Sequence, residues 1–233
     1  MSEDYILTEN RRFFGRRISK LFSPRKMVIF EQAKQDIFFD FNSDIHKNIN
    51  PIDLFPDFKP KRIFLEIGFG GGEHLLHRAK LNPDDGFIGC DAFINGTVRV
   101  IEDMRQNNTK NIRLICSDAL LFIRALQDSS LDGLYLLYPD PWHKKRHHKR
   151  RFVQNDTVSE FVRLLKPQAC WRFASDIVHY IQWVFAHIHQ QGDFIMDNHH
   201  HYTQPFEGWI STKYEQKALR EGRYPHYFEF IKP

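Results

Sequence analysis

A chain of 233 residues, 42% of them hydrophobic, is long enough for one sizeable core and reads as one domain. No run of about 18 apolar residues occurs, and Glu3, Asp4 and Glu9 stand where a secretory signal carries cations, so a soluble cytoplasmic protein with no membrane partner is expected. The net charge of +4 is concentrated: Arg11 to Lys26 holds seven cations and no acid, and Lys144 to Arg151 reads KKRHHKRR.

In chain order, residues 1–59 contain Pro24, Pro51 and Pro56 and read as a basic, partly flexible N-terminal extension wrapped on a core formed by residues 60–233. From there strand-like runs alternate with helical ones. Ile63 to Gly68, Phe87 to Cys90, Ile112 to Cys116, Leu131 to Leu137 and Trp171 to Ala174 are short apolar runs suited to buried strands. Val158, Phe161, Val162 and Leu165 recur at helical spacing, as do Ile177, Tyr180, Ile181, Val184, Phe185 and Ile188. Tyr227 to Ile231 adds a last strand. This alternation predicts an α/β fold with a mainly parallel sheet covered by helices on both faces, and ligands at the carboxyl ends of its strands.

Cys90, Cys116 and Cys170 are far apart and show no C-x-x-C spacing, so neither a disulfide framework nor a zinc site is expected and the three read as buried small hydrophobes. His199-His200-His201 reads as an exposed polar loop, and no metal is expected.

The first strand ends in FLEIGFGGGE, Phe64 to Glu73, after which a helix opens. Gly68 and Gly70 let the backbone turn sharply and approach a ligand closely. A dinucleotide fingerprint would place a third glycine at position 73, where this chain has Glu73, a carboxylate that repels a pyrophosphate at the helix N-terminus. Glu66, Asp91 and Asp118 lie in or just after three successive strands, and each alone reads equally as a turn or helix cap. Together they favour a phosphate-free cationic ligand such as S-adenosylmethionine over a nicotinamide nucleotide. Asp91 is placed for ribose hydroxyls and Asp118 for an adenine amino group.

The fourth strand runs into Tyr138-Pro139-Asp140-Pro141-Trp142 and then the basic run. Two prolines fix the backbone around Asp140, Trp142 offers an aromatic surface, and the eight basic or histidine residues Lys144 to Arg151 suit phosphates.

PDPWHKKRHHKRR resembles the signature of the bacterial tRNA (guanine-46-N7)-methyltransferases, a family with the Rossmann-like, seven-stranded S-adenosylmethionine-dependent fold. The resemblance extends through FLEIGFGGGE, SDALLF (Ser117 to Phe122), FASD (Phe173 to Asp176) and TKYE (Thr212 to Glu215), covering roughly residues 60–230. It implies that Glu66, Gly68, Gly70, Asp91, Asp118 and Asp140 surround the cofactor, with Asp140 catalytic. It also implies that Lys144, Asp176, Thr212, Lys213, Tyr214 and Glu215 meet the tRNA substrate; as carboxylates, Asp176 and Glu215 are suited to accept from guanine N1 and N2, groups adenine does not offer. Asp91 stands where many members carry glutamate, and Lys217 where the family pattern has arginine. No obligate protein partner is expected, the chain being a monomer or homodimer. Other readings of the same residues are an exocyclic-amino methyltransferase, an RNA-binding protein that kept the fold without catalysis, and a nicotinamide dehydrogenase.

Overall fold

The alternating pattern is realised as a seven-stranded sheet in the computed structural model, which describes residues 23–36, 47–191, 194–197 and 201–233. Most of the basic run Arg11 to Lys26, and His199 and His200, lie outside those residues. The elements are α1 (Pro24–Asp36), β1 (Ile63–Ile67), α2 (Glu73–Leu81), β2 (Gly86–Cys90), α3 (Ile94–Gln106), β3 (Ile112–Ile115), α4 (Ala119–Ala125) and β4 (Leu131–Leu137). They continue with α5 (Asn155–Leu164), β5 (Leu165–Ser175), α6 (Val178–Gln191), β6 (Ile195–Met196), α7 (Lys213–Arg220) and β7 (His226–Ile231).

The sheet order is β3-β2-β1-β4-β5-β7-β6. The first five strands are parallel, and β7 runs antiparallel to both β5 and β6. Every residue of β1, β2 and β3 is buried, because helices cover both faces, which is why these strands read as continuous apolar runs. Strand parity sorts the side chains. Leu65, Ile67, Ile88, Leu134 and Leu136 join a core with α4, α5 and α6, including Phe161, Trp171 and Tyr180. Phe64, Phe87 and Tyr135 face the other way, toward Leu75 of α2, Val100, Ile101 and Met104 of α3, and Ala33 of α1. Leu54 and Phe55 also enter the first core, so the chain just before β1 is packed against the sheet.

The strands β5 and β6 differ from the sequence reading. Leu165, expected to close the α5 stripe, instead begins β5, since Pro167 disfavours helical backbone in the residue before it. β5 is therefore longer than expected, with Gln168 in the left-handed region (φ 64°) where its register against β4 shifts. β6 was not anticipated, two residues being too few to carry a periodic signal. Among the cysteines Cys90 is fully buried, whereas Cys116 and Cys170 are only half-buried; burial pushes the Cys170 thiol up to about 12. None of the described helices is long and apolar enough to cross a membrane.

Candidate active site

β1 to β4 all end on one edge of the sheet, and the loops that follow them enclose a cavity of about 330 Å³. It lies where the strand order reverses between β1 and β4, the crevice that a doubly wound sheet leaves open. Gly68, Gly70, Asp91, Asp118, Asp140 and Tyr214 all line it. Glu66, Lys144, Asp176, Thr212, Lys213 and Glu215 do not.

The loop after β1 is built from backbone that only glycine adopts easily: Gly68, Gly70 and Gly72 have φ of 73°, 55° and 77°. Asp91, at the end of β2, pins it. One carboxylate oxygen accepts from Gly70 N at 2.9 Å and the other from Phe93 N at 2.8 Å, joining the loop to the start of α3. Burial raises the Asp91 pKa; the two amides oppose the rise, and Glu66 and Asp140 add to it. Gly96, in the first turn of α3, was missed by sequence reading. A Cβ there would stand 1.8 Å from the Gly70 carbonyl oxygen, so α3 presses directly on the loop.

Asp118 caps α4, its Oδ1 accepting from Leu120 N at 2.9 Å, and lines the cavity as well, so the cap and ligand readings are compatible. Glu66 points away from the cavity into the second core. There His74 Nδ1 lies 2.7 Å from its Oε2, both side chains nearly fully buried, with His74 edge-on to Tyr135 at 4.7 Å.

The turn after β4 is held differently. Tyr138 and Trp142 flank the Pro139-Asp140-Pro141 segment with φ of 50° and 44°, left-handed backbone that costs a non-glycine residue about 1–3 kcal/mol. Tyr138 N donates to Ala174 O at 2.8 Å, tying one end to β5. Arg151 holds the other: its Nε donates to Pro141 O at 2.9 Å, and its guanidinium lies over Tyr180 and Trp183 at 5.1 and 4.9 Å. Arg151 was expected among the phosphate-facing cations, but it is 2% exposed and faces inward. Arg150 lies over the Trp142 ring at 5.0 Å in the cavity wall. Lys144, Lys145, Arg146 and Lys149 remain exposed beside the opening. The His143 ring stacks on His179 of α6 at 5.3 Å, extending this ridge; burial, followed by Arg151 and the neighbouring histidines, lowers the His179 pKa.

Desolvation raises the Asp140 pKa. Tyr214 reaches over the glycine loop from the first turn of α7, 3.4 Å from where a Gly70 Cβ would stand. Its side chain is largely exposed, and partial desolvation, then Asp140, Asp91 and Glu73, push its phenol up, so it stays neutral among three carboxylates. Thr212 caps α7, its Oγ1 accepting from Glu215 N at 3.2 Å, and TKYE therefore carries the Thr-x-x-Glu start signal of a helix, which sequence reading overlooked. Lys213 lies 3.3 Å from Glu73, which also holds Arg99 at 2.8 Å. Glu73 thus keeps a carboxylate at the N-terminus of α2, where a pyrophosphate would bind. Asp176 accepts from Arg223, and Glu215 is buried. Among the described residues no three histidine, cysteine or acidic side chains converge to hold a metal ion.

Sheet order and switch-point cavity together define a Rossmann-like fold with its ligand crevice at the carboxyl ends of the strands. The architecture is similar to that of a solved antibiotic-related methyltransferase (TM-score 0.53, 16% identity, 83% of this chain and 94% of that chain) and of the 16S rRNA methyltransferase KamB (TM-score 0.54, 13% identity, 81% and 100%). A family model described as "Putative methyltransferase" matches residues 60–227. Relatives named tRNA (guanine-N(7)-)-methyltransferase include those of Brucella melitensis, 39% identical over 100% of this chain and 99% of theirs, and of Mesorhizobium japonicum, 42% identical over 94% of each. The chain belongs to the tRNA (guanine-N(7)-)-methyltransferase family.

Proposed function

We propose that this protein transfers a methyl group from S-adenosyl-L-methionine to N7 of a guanine in tRNA, at position 46 of the variable loop, in the cytoplasm. The observation that carries this reading is the union of two features on one sheet edge: a cavity walled by Asp91, Asp118 and Asp140, and an exposed cationic ridge beginning next to Trp142.

The cavity fits the donor. About 330 Å³ lies within the roughly 300–1,000 Å³ typical of small-molecule pockets. Carboxylates whose pKa values are raised by desolvation regain stability when a cation arrives, and the donor carries a sulfonium and an ammonium. S-adenosylmethionine supplies an electrophilic methyl group on that sulfonium. Asp91 faces the ribose, Asp118 the adenine, and Gly68 and Gly70 leave the backbone bare for close approach.

Guanine N7 bears a lone pair and no proton, so the protein need not supply a general base. Asp140 then acts by orientation and charge, stabilising the positive charge that moves onto the base. Alignment of two bound partners is worth up to about 7–11 kcal/mol. Trp142 and Tyr214 provide aromatic surfaces for a base drawn out of its stack. Lys144 and Lys213 meet phosphates, with Thr212 at the start of the same turn. Asp176 reaches a base only by releasing Arg223.

The test is methyl transfer from labelled donor to an unmodified tRNA transcript, followed by nuclease digestion and mass mapping. N7-methylguanosine at one position is the expected product. An amino-methylated nucleoside, or a folded protein that does not bind the donor, overturns the proposal.

A further inference from the structure

Behind the cavity wall a chain of buried and partly buried polar and aromatic groups crosses from the cofactor loop to the catalytic turn. Glu66 is bonded to His74 at the start of α2, and the His74 ring packs against Trp209 at 5.3 Å. Trp209 Nε1 donates to Glu215 Oε2 at 2.8 Å. The other oxygen of Glu215 accepts from the Tyr227 hydroxyl, in β7. Tyr227 in turn lies beside the buried Tyr138 hydroxyl, which makes no well-formed hydrogen bond among the described residues. Tyr138 precedes Pro139 and Asp140 and lines the cavity.

We propose that Glu215 is a positioning residue, not a reader of the guanine edge: clamped between Trp209 and Tyr227, it fixes the first turn of α7, and with it Tyr214, against the Tyr138 side of the catalytic turn. The inference rests on the methyltransferase reading of the cavity. Three observations carry it. Glu215 is 6% exposed and does not line the cavity, so a base edge has no route to it. Both of its oxygens already accept from fixed donors, an indole N–H and a phenol O–H. As the third residue of α7 it could have completed a capping box by bonding back to Thr212 N; its side chain is turned instead to Trp209 and Tyr227. Burial and Glu215 both push the Tyr227 phenol up, which keeps it a donor.

A carboxylate holding two donors from other parts of the chain locks their relative positions, because leaving either the charge or the donors unsatisfied in the interior costs more than the bond gains. Tyr214 follows from this lock. Its ring lies over the glycine loop only while the first turn of α7 keeps its place.

The test compares Tyr227→Phe, Glu215→Gln and the double variant with the wild type, using tRNA transcripts that carry guanosine or inosine at the methylated position. Inosine keeps N7 and N1 but lacks the N2 amino group. Each single variant is expected to lower kcat about tenfold, the effect of losing one hydrogen bond to a charged group. The KM for tRNA and the guanosine-to-inosine ratio should stay within about twofold of wild type, and the double variant should be no worse than the weaker single one, as coupled sites behave. A Glu215→Gln protein whose guanosine-to-inosine ratio collapses, or a Tyr227→Phe protein with wild-type kcat, overturns the inference. Should Glu215→Gln fail to fold, Tyr227→Phe decides by the same criteria. A wild type that methylates neither transcript refutes the functional reading itself.

Discussion

The glycine loop after β1 and the Tyr138–Trp142 turn after β4 face the same cavity, yet each reaches its shape by a different route. The first uses residues for which left-handed backbone is free of strain, and then blocks outward movement with α3, whose Gly96 touches the Gly70 carbonyl oxygen. The second forces a tyrosine and a tryptophan into that same region and holds them with Ala174, Arg151 and the packing around Tyr138. One loop is shaped by what is missing at Cβ, the other by what surrounds it. The first should therefore fail when atoms are added, the second when support is removed.

The largest effect is expected at the centre of the supported turn. Asp140→Ala should lower methyl transfer by about a thousandfold, the scale of losing a preorganised electrostatic group, while donor binding stays measurable by calorimetry. Near-normal turnover would remove Asp140 from the reaction. Next, Gly96→Ala should weaken donor binding about 10- to 100-fold, since the added carbon displaces the glycine loop and such overpacking costs about 1–3 kcal/mol. Unchanged affinity would show that α3 does not set the loop.

Arg151→Ala tests the support of the second loop. Its loss leaves Pro141 O without its donor and opens a gap over Tyr180 and Trp183, so stability should fall by about 2–4 kcal/mol in denaturant titration. Donor affinity should fall by less than in Gly96→Ala; the reverse order would break the distinction between the two loops.

The smallest effect is in pH. Burial raises the pKa values of Asp91 and Asp140 above the usual carboxylate value of about 3.9, and a cationic donor favours their ionised forms, so binding releases protons. Affinity should hold near neutrality and fall as the pH drops through the raised titrations; Asp140→Asn should flatten that fall. Tightening on acidification would reverse the assigned electrostatics.

Legibility in the sequence followed how local each signal is. Central strands read correctly because both faces are buried, and α6 because its apolar stripe repeats over three turns. Asp91, Asp118 and Asp140 were legible as cavity-lining candidates because each lies no more than three residues beyond a strand end, and position along a strand is a local property. Arg151 was misjudged because nothing in KKRHHKRR distinguishes a cation that turns inward from its exposed neighbours. Glu215 was matched by motif, while the Trp209 and Tyr227 donors that occupy it come from other segments of the chain.

The amino-acid order by itself determined the alternating architecture, the glycine loop, the acids at the strand ends and the charge of the ridge, since all depend on neighbours within a few residues. Only the tertiary structure decided which way Glu66, Arg151 and Glu215 point, and that Gly96 limits the loop beside it. A side chain's direction is chosen by the partners that can satisfy it once buried, and those partners meet it only when distant segments pack together.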